Sequence, residues 1–556
     1  MAKKILVCSA WPYGSTVPHL GNLVSSLLSG DVFARYYKLR GHEVVYVSGT
    51  DAHGTRIEYE AAKAGRSPRE HAQLIHQEIL RINEEFGIEF ENYTTTESPV
   101  HKEFVIEIHK KMEKQGYIFS REEERPYCQT CGKFLADRYI EGTCPRCGYE
   151  HARGNQCERC GALLEPEELR EPRCAICGGS EIIFKPTRHW YLDLKKLEPQ
   201  LRRYVESRRF RGNVKLWTEN MLRELRPRAI TRDLEWGIPA PFEGAEGKVI
   251  YVWAEAALGY VSATIEYFQR KGEPDRWREF WFGEDVYQIY TQGKDNIPFH
   301  TIIFPGQLIA SGEGYHLPDQ IAATEYLNWI GGEAFSKSRG VGIYCDDALQ
   351  LLDPTLWRFY LLYVRPEKRD VDFSWEELET TINSVFIDNI SNLVSRVAGV
   401  ANRLYDGVVE ATPDERVLDQ IRRARGQVER EFEEGSLALA LRRISELAVF
   451  GNHYFQEERP WEGGKPEVVA GGLQLVKALA IMLEPFVPGF SRRVYRLLNL
   501  PEPVRFDDLL KVELPFRVGP AEPLLRKIEI EEVKRRYAEL KGQPAEAGAE
   551  AEAEVE

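Results

Sequence analysis

Eight of the ten cysteines in this 556-residue chain lie between Cys128 and Cys177, and all eight stand in C-x-x-C pairs. The gaps between successive pairs are 12, 9 and 13 residues. Two chelating pairs complete one closed tetrahedral site, so the pattern predicts two structural zinc ions rather than disulfides or a catalytic metal. Spacing alone allows either sequential or nested pairing. The eight candidate ligands are Cys128, Cys131, Cys144, Cys147, Cys157, Cys160, Cys174 and Cys177.

On both sides of the cysteines, strand-like and helix-like segments alternate. KKILVCSA and HEVVYVSGT have the character of buried strands, whereas LVSSLLSGDVFARYYKLRG and RSPREHAQLIHQEILRINEEFG have that of helices ending at Gly41 and Gly87. The alternation resumes with GKVIYVW, AEAALGYVSATIEYFQRKG and DVYQIYTQG. Such alternation indicates a parallel sheet with covering helices. We therefore predict an α/β, Rossmann-like nucleotide-binding fold that is split by a zinc-ribbon insertion.

From about Thr381 onward the pattern is helical throughout. GGLQLVKALAIMLEPFVP predicts one long helix, and a second follows from apolar residues spaced i, i+3, i+4 and i+7. The residues with this spacing are Leu437, Ala440, Leu441, Ile444, Leu447 and Ala448. This part of the chain is predicted to be an all-α bundle.

The composition places limits on partners and location. The net charge of −14 argues against a generally basic nucleic-acid-binding protein but leaves room for a local basic face. The sequence has no apolar run of about 18 residues and no secretory signal, so we expect a cytoplasmic protein without a membrane span. Part of the acidity lies in residues 543–556, which hold five glutamates and are predicted to be disordered.

The stretch VPHLGN places His19, Gly21 and Asn22 where a strand passes into a helix. In parallel sheets ligands bind at this edge, and a histidine there can donate hydrogen bonds to phosphate oxygens. Gly21 would let an adenine ring approach the backbone. Taken alone, His19 is equally consistent with an ordinary histidine at a helix start.

The stretch FSKSRGVG places Lys337 between two serines, followed by Arg339 and two glycines. A cationic loop of this kind can fold over a triphosphate and stabilise the charge of departing pyrophosphate. By itself it could also be a solvated surface loop.

In this order, the two motifs resemble the HIGH and KMSKS signatures of class I aminoacyl-tRNA synthetases. Further stretches narrow the resemblance to methionyl-tRNA synthetases, from about Lys4 to Pro501: AWPYGSTVPHLGN, RGHEVVYVSGTDAHGT, ITRDLEWGIP, VIYVWAEAALGY, QGKDNIPFH and YLNWIGG. Asn22 stands where the family often has a second histidine. Ala334 and Phe335 replace the usual lysine and methionine, but Lys337 is retained.

The resemblance implies a methionine pocket with aromatic walls and a carboxylate for the substrate ammonium. Sulfur–aromatic contacts suit a thioether. The pocket residues carried over are Trp11, Tyr13, Asp51, Trp253, Ala256, Ala257, Tyr260, Asn296 and His300. Asn296 is polar where the family usually has an aliphatic residue, and Ala257 is often proline there.

The resemblance also implies a methionine–tRNA ligase, which forms methionyl-adenylate from methionine and ATP and then charges the 3′ end of a tRNA. Mg²⁺ would accompany ATP. The implied catalytic residues are His19, Asn22, Lys337 and Arg232. The implied ATP-binding residues are His19, Gly21, Asn22, Gly293, Asp295 and Lys337.

Family likeness favours nested zinc pairing, with the two inner C-x-x-C pairs on one ion and the two outer pairs on the other. In the helical region, ISNLVSR and ERPW match the part of the family that binds the anticodon. The resemblance therefore implies an anticodon-binding role for Asn392, Arg396 and Trp461. Stacking and polar contacts are the usual means of reading single-stranded bases.

The implied domain order begins with a split catalytic fold at residues 1–116 and 249–325. The insertion spans 117–248, with its zinc knuckles at 128–177. The remaining segments are a linker domain with the FSKSR loop (326–380), an anticodon-binding bundle (381–530) and a helix end with the acidic tail (531–556). Because no appended domain follows the bundle in this sequence, we expect a monomer.

Three alternatives compete with this interpretation. A class I synthetase for valine, leucine or isoleucine would usually carry a larger editing insertion, and a cysteine enzyme is a further relative. A non-catalytic RNA-binding zinc protein would not need His19, Asp51 and Lys337. A nucleotidyltransferase of the same fold would not need Trp461 and the helical bundle.

Overall fold

A five-stranded parallel sheet forms the centre of the computed structural model, which describes residues 3–135, 139–154, 157, 164, 166–501 and 503–542. The predicted acidic tail, residues 543–556, lies outside these ranges. In spatial order the strands are Gln320–Thr324, Val286–Gly293, Lys4–Ser9, Glu43–Thr50 and Asn92–Thr95. The apolar runs of the central strands are buried on both faces, as expected for a parallel sheet covered by helices.

The middle strand joins the two halves of the split fold. Lys4 pairs with Glu43 on one side and with Val286 on the other. The hydroxyls of Ser9 and Thr291 lie 2.8 Å apart although 282 residues separate them. The predicted Rossmann-like sheet is therefore present and is completed by strands from both sides of the insertion.

Most predicted helices of the α/β part are present with small changes in their bounds. The predicted helix ending at Gly41 is two helices, Leu20–Ser25 and Leu27–Leu39, because the Ser26 hydroxyl donates to the Ala10 carbonyl at 2.6 Å and the chain bends there. The other α-helices before the bundle are Thr55–Lys63, Pro68–Glu85, Pro99–Lys114, Glu198–Glu206, Gly212–Arg223, Val252–Glu255, Gly259–Arg270, Arg278–Trp281, Phe304–Ala310, Cys345–Leu351 and Pro354–Tyr363.

The prediction that GKVIYVW is a strand of the central sheet was wrong. Only Val249–Ile250 is extended, and it pairs antiparallel with Thr231–Arg232 in a separate two-stranded sheet. The Ile250 amide donates to the Ile238 carbonyl at 2.7 Å, so this segment finds its partners in neighbouring loops. Two short strands of the central sheet, Asn92–Thr95 and Gln320–Thr324, had no clear signal in the sequence.

The insertion leaves and rejoins the α/β fold as one antiparallel ribbon. Strands Ile118–Cys128 and Ile182–Leu192 pair along their whole length, with Cys128 opposite Ile182 at the far end. A small three-stranded sheet of Ala152–Arg153, Ile140–Thr143 and Arg170–Cys174 lies beyond the ribbon. This arrangement lets the cysteine region protrude without disturbing the central sheet.

The predicted helical bundle is also present. All six residues of the predicted apolar stripe are buried. The helices of this part are Trp375–Glu379, Asn392–Tyr405, Glu415–Glu433, Leu437–Glu458, Pro466–Leu483, Pro488–Leu497 and Ile530–Leu540, with a π-helix at Thr380–Ser391. Among the described residues, Pro466–Leu483 alone has the length and hydropathy of a membrane span, but 89% of it is buried inside the protein. It is the core helix of the bundle.

A buried arginine attaches the bundle to the α/β fold. Arg358, on helix Pro354–Tyr363, forms an ion pair with Asp31 at 2.7 Å. Its other nitrogens donate to the carbonyls of Phe86, at 3.1 Å, and Phe486, at 2.7 Å. A buried guanidinium satisfied in this way fixes the relative position of three segments that are distant in sequence.

Candidate functional site

A cavity of about 660 Å³ opens at the carboxyl ends of strands Lys4–Ser9, Glu43–Thr50 and Val286–Gly293. The structure brings nearly all the predicted substrate and ATP residues to its walls. The residues that line it include Trp11, Tyr13, His19, Gly21, Asn22, Asp51, Arg232, Trp253, Ala256, Ala257, Tyr260, Gly293, Asp295, Asn296 and His300. Lys337 lies beside the cavity rather than on its wall.

One end of the cavity is aromatic. The Trp11 indole packs so closely over Gly49 that a Cβ there would lie 2.8 Å from the ring, and Gly259 is approached more closely still. The Tyr260 hydroxyl lies 2.7 Å from His300 Nε2. These contacts make a rigid wall that suits an apolar side chain.

The polar groups of this wall have defined roles. His300 Nδ1 lies 2.9 Å from the Asn296 carbonyl, so Nδ1 carries the proton and Nε2 accepts from Tyr260. Burial lowers the pKa of His300 to about 4, which keeps the imidazole neutral. Trp253 is 42% exposed and forms the outer part of the wall against Phe299.

Asp51 supplies a carboxylate at the end of strand Glu43–Thr50. Its backbone is fixed by a 2.8 Å hydrogen bond to the Pro12 carbonyl and a 2.7 Å hydrogen bond from Gly14. Burial and the nearby charge of Glu255 raise the pKa of Asp51 well above its usual value. Within the described chain its Oδ1 is buried and has no hydrogen-bond partner. A cationic group entering the cavity would satisfy this oxygen.

His19 caps the helix Leu20–Ser25 at the opposite side of the cavity. Its Nδ1 accepts from the Asn22 amide at 3.3 Å, and the Asn22 side-chain oxygen accepts from the His19 amide at 3.4 Å. Burial and the charge of Arg56 lower the pKa of His19 to about 3. The neutral ring therefore carries its proton on Nε2, which is the nitrogen available as a donor.

The loop that contains Lys337 lies against His19. The Phe335 ring stacks on the imidazole with a centroid separation of 4.4 Å and an angle of 3°. Gly342, at φ +92°, leaves the space that this phenyl ring occupies. Lys337 Nζ lies 5.2 Å from the centre of the Tyr344 ring, whose edge meets His19. A half-exposed cation thus stands beside the mouth of the cavity.

Glycines and an acidic side chain shape the remaining wall. A Cβ on Gly21 would lie 3.1 Å from the Leu327 carbonyl oxygen, so a larger residue would crowd this wall, and the adenine contact expected here stays a prediction. The Asp295 carboxylate accepts a hydrogen bond from the Tyr326 hydroxyl. Gly293 leaves open space towards Ser25.

Arg232 lies on the cavity wall next to the aromatic end. Its guanidinium stacks 3.7 Å from the centre of the Tyr251 ring, and Nη1 donates to the Thr231 carbonyl at 2.9 Å. The side chain is therefore held in place, and its remaining donors are available for an anion.

Comparisons with known proteins agree with this geometry. Residues 5–398 match the family described as tRNA synthetases class I (M). The methionine–tRNA ligase of Caldivirga maquilingensis is 46% identical and covers 95% of this chain and 92% of its own length. That of Aeropyrum pernix is 44% identical, with 97% and 99% covered. This chain belongs to the methionine–tRNA ligases.

A solved structure shows that the fold is shared as well. Mycobacterium tuberculosis methionyl-tRNA synthetase, in complex with methionyl-adenylate, superimposes with a TM-score of 0.78 at 21% identity. The match covers 94% of this chain and 99% of that chain. The predicted family and fold are confirmed, and none of the three alternatives accounts for matches over nearly the full length.

In this methionine–tRNA ligase, two predicted anticodon residues lie on one face of the bundle. Asn392 and Arg396 belong to helix Asn392–Tyr405, and Arg396 donates to the Asn452 side-chain oxygen at 3.0 Å. Trp461 follows helix Leu437–Glu458 and packs, partly buried, against the bundle core.

The cysteines form two clusters. The sulfurs of the outer pairs, Cys128, Cys131, Cys174 and Cys177, lie within 4.8 Å of one another, which is the nested arrangement. Cys128 and Cys177 are 3.7 Å apart, close to the separation of about 3.8 Å expected for thiolates about 2.3 Å from one tetrahedral ion. The inner cluster holds Cys144, Cys147 and Cys157, and Cys160 lies outside the described residues.

Sequence reasoning missed two buried polar residues at the cavity, and one of them, His53, lines its wall. His53 stands in the TDAHGT stretch, and Glu255 lies between Trp253 and Ala256, yet neither had an assigned role. Both are fully buried and hydrogen-bonded to each other at 2.7 Å. The only sequence feature that could have drawn attention to them is their position beside predicted pocket residues.

We expect each cysteine cluster to hold one metal ion. Cys174→Ser removes a ligand of the outer cluster, and Cys147→Ser removes one of the inner cluster. Each variant should lose about one ion per chain by elemental mass spectrometry, whereas Cys345→Ala, a buried cysteine outside both clusters, should lose none. Full metal content in the Cys174→Ser protein would contradict the assignment.

Proposed function

We propose that this chain joins methionine to its tRNA in two steps that share the cavity. The methionine carboxylate first attacks the α-phosphorus of ATP and expels pyrophosphate. A hydroxyl of the terminal tRNA adenosine then attacks the adenylate carbonyl and releases AMP. The similarity to methionine–tRNA ligases over 95% of the chain carries the proposal. The methionyl-adenylate bound to the Mycobacterium tuberculosis enzyme supports this intermediate.

On the amino-acid side, Asp51 would pair with the substrate ammonium, since it lines the cavity and its Oδ1 has no hydrogen-bond partner among the described residues. The thioether would lie among Trp11, Tyr13, Trp253 and Tyr260. Sulfur–aromatic contacts contribute about 0.3–1.5 kcal/mol each, enough to favour methionine over a plain alkyl chain. The pocket is completed by Ala256, Ala257, Asn296 and His300.

On the nucleotide side, His19 Nε2 and the Asn22 side chain would donate to phosphate oxygens. Lys337 would move over the triphosphate and stabilise the negative charge that develops on pyrophosphate. Catalysis of this kind depends on positioning and electrostatics rather than on a protein nucleophile. Gly293 and Asp295 would bind the nucleoside, and Mg²⁺ would accompany ATP.

Two further residues complete the proposed catalytic set. Gly21 would allow the adenine to approach the backbone. Arg232, held on Tyr251, would direct a guanidinium towards the anionic substrates.

The cysteine clusters would hold two structural zinc ions. The thiolate donors and their tetrahedral spacing suit Zn²⁺, and Cys160 would complete the inner set. These closed sites would stabilise the insertion and take no part in the reaction.

The bundle would bind the anticodon of the methionine tRNAs, initiator and elongator, through Asn392, Arg396 and Trp461. We infer a monomeric cytoplasmic enzyme. Its proposed parts are the split catalytic fold (1–116 and 249–325), the insertion (117–248), the linker domain (326–380), the bundle (381–530) and the terminal segment (531–556).

ATP–pyrophosphate exchange with each of the twenty amino acids tests the activation step. Exchange should depend on methionine, because the aromatic wall and Asp51 together fit an unbranched apolar amino acid. Exchange with another amino acid would keep the fold but overturn the pocket assignment. Absence of exchange with all twenty would contradict the proposed enzyme.

Replacement of Trp461 by alanine should weaken tRNA binding without affecting methionine activation. Loss of one stacked base costs about 1–3 kcal/mol, so the KM for tRNA should rise about tenfold or more in aminoacylation. Methionine-dependent exchange should be unchanged. Trp461→Phe keeps an aromatic face and should restore most of the tRNA affinity, whereas equal effects of both variants on exchange would point to a folding defect.

A further inference from the structure

A charge cluster adjoins Asp51 at the wall of the cavity, which His53 also lines. We define the cluster as Asp51, His53, Glu97 and Glu255. His53 Nδ1 lies 2.7 Å from Glu255 Oε1, and His53 Nε2 lies 2.8 Å from Glu97 Oε1. His53 is 1% exposed and Glu255 is fully buried. Both ring nitrogens therefore contact carboxylates, that of Glu255 fully buried and that of Glu97 partly exposed.

The geometry determines the charge of His53. A neutral imidazole has one donor and one acceptor nitrogen, so it cannot donate to two carboxylates at once. The imidazolium form can. Burial would lower the pKa of His53, but its ion pairs with Glu255 and Glu97 raise it to about 9. His53 is thus a fixed internal cation.

Other charged groups around the cluster pair with Glu97. Lys102 Nζ lies 2.5 Å from Glu97 Oε1, and Arg69 lies 3.2 Å from Oε2. Partial burial would raise the pKa of Glu97, but its partners lower it to about 2. His101, which contacts Ser262 and lies 3.9 Å from Glu255, has a pKa lowered to about 3 by burial and the charge of His53. It contributes no charge.

Three cations surround the three carboxylates, but two of these cations pair with Glu97, so Asp51 has no ion pair. Lys102 and Arg69 compensate Glu97, and the His53 imidazolium compensates Glu255. Asp51 has no basic side chain to pair with among the described salt bridges, and this residue lines the cavity with its Oδ1 buried and without a hydrogen-bond partner. The Asp51 side chain accepts a hydrogen bond from the His53 backbone, but its Oδ1 has no partner. A buried carboxylate that lacks an ion pair is costly, so the empty site and the occupied site must satisfy it differently.

We propose that His53 is a positioning residue of the amino-acid site: by pairing with Glu255, it leaves Asp51 as the carboxylate that receives the substrate ammonium. The inference rests on the proposed function. In the empty site Asp51 holds a proton. When the ammonium of methionine binds, that proton passes to solvent and the carboxylate forms the ion pair.

This proposal makes methionine binding depend on pH. Where Asp51 is protonated in the empty site, the KM for methionine should fall up to tenfold for each unit of rising pH and then level off. Burial and the charge of Glu255 raise the pKa of Asp51, so this range lies above the one that an exposed carboxyl group would show. Binding at a pH within that range should release up to one proton per methionine.

Calorimetry with methionine alone, in two buffers of different ionisation enthalpy across pH 6–8, counts the released protons. The native protein should release a proton over part of this range. Glu255→Gln removes one of the two causes that raise the pKa of Asp51 and leaves burial, the larger one, so it should shift the release and the KM profile of ATP–pyrophosphate exchange to lower pH. Proton-free binding by the native protein throughout the range would overturn the proposal.

A double variant that removes both charges distinguishes a positioning role of His53 from a folding defect. His53→Gln leaves Glu255 and Asp51 without a cation, so the KM for methionine should rise about tenfold at pH 7 with little change in kcat. The double variant His53→Gln/Glu255→Gln removes both charges and should recover most of the loss. His109→Gln, which removes a buried neutral histidine away from the cavity, should retain the native pH profile.

The outcomes also distinguish this inference from the proposed function. Failure of exchange with every amino acid would remove the enzyme assignment itself. Methionine-dependent exchange with the same KM and pH profile in native and His53→Gln proteins would leave the enzyme in place and refute the role of His53. A double variant as weak as His53→Gln would also refute it.

Discussion

The site depends on the parallel pairing of strand Lys4–Ser9 with Val286–Gly293 on one side and Glu43–Thr50 on the other. Parallel strands end at the same edge of a sheet, so this pairing brings Trp11 and Asp51 together with residues from the second half of the fold. The antiparallel ribbon of the insertion preserves the pairing, because it leaves and returns at adjacent points. A long insertion is therefore compatible with a compact cavity.

Once the sheet has placed them, the polar groups divide the cavity into two chemical regions. The aromatic end contains Asp51, a carboxyl group whose Oδ1 has no hydrogen-bond partner among the described residues, and the other end presents His19 as a neutral donor. Phe335 stacks on His19 and holds the lysine loop close to this donor. Phe335 departs from the usual family motif, and its ring makes the aromatic contact that positions the loop beside His19.

Much of the fold and of the site could be predicted from the sequence. The C-x-x-C pairs, the strand–helix alternation and the apolar stripe of the bundle depend on local spacing, and the structure shows all three. Short strands such as Asn92–Thr95 lacked a usable pattern, and GKVIYVW resembled a sheet strand although its partners lie in loops. The contacts of His53 join residues 44 and 202 positions apart, so no local pattern could reveal them.

The most direct test of the account is a crystal structure of the protein with methionine and a non-hydrolysable ATP analogue. The distance to measure is that between the methionine nitrogen and Asp51 Oδ1. The account predicts a charge-assisted hydrogen bond of about 2.7–2.9 Å, with the thioether among the aromatic rings and the phosphates near His19. A methionine nitrogen bound elsewhere, with Asp51 Oδ1 still unpaired, would contradict it.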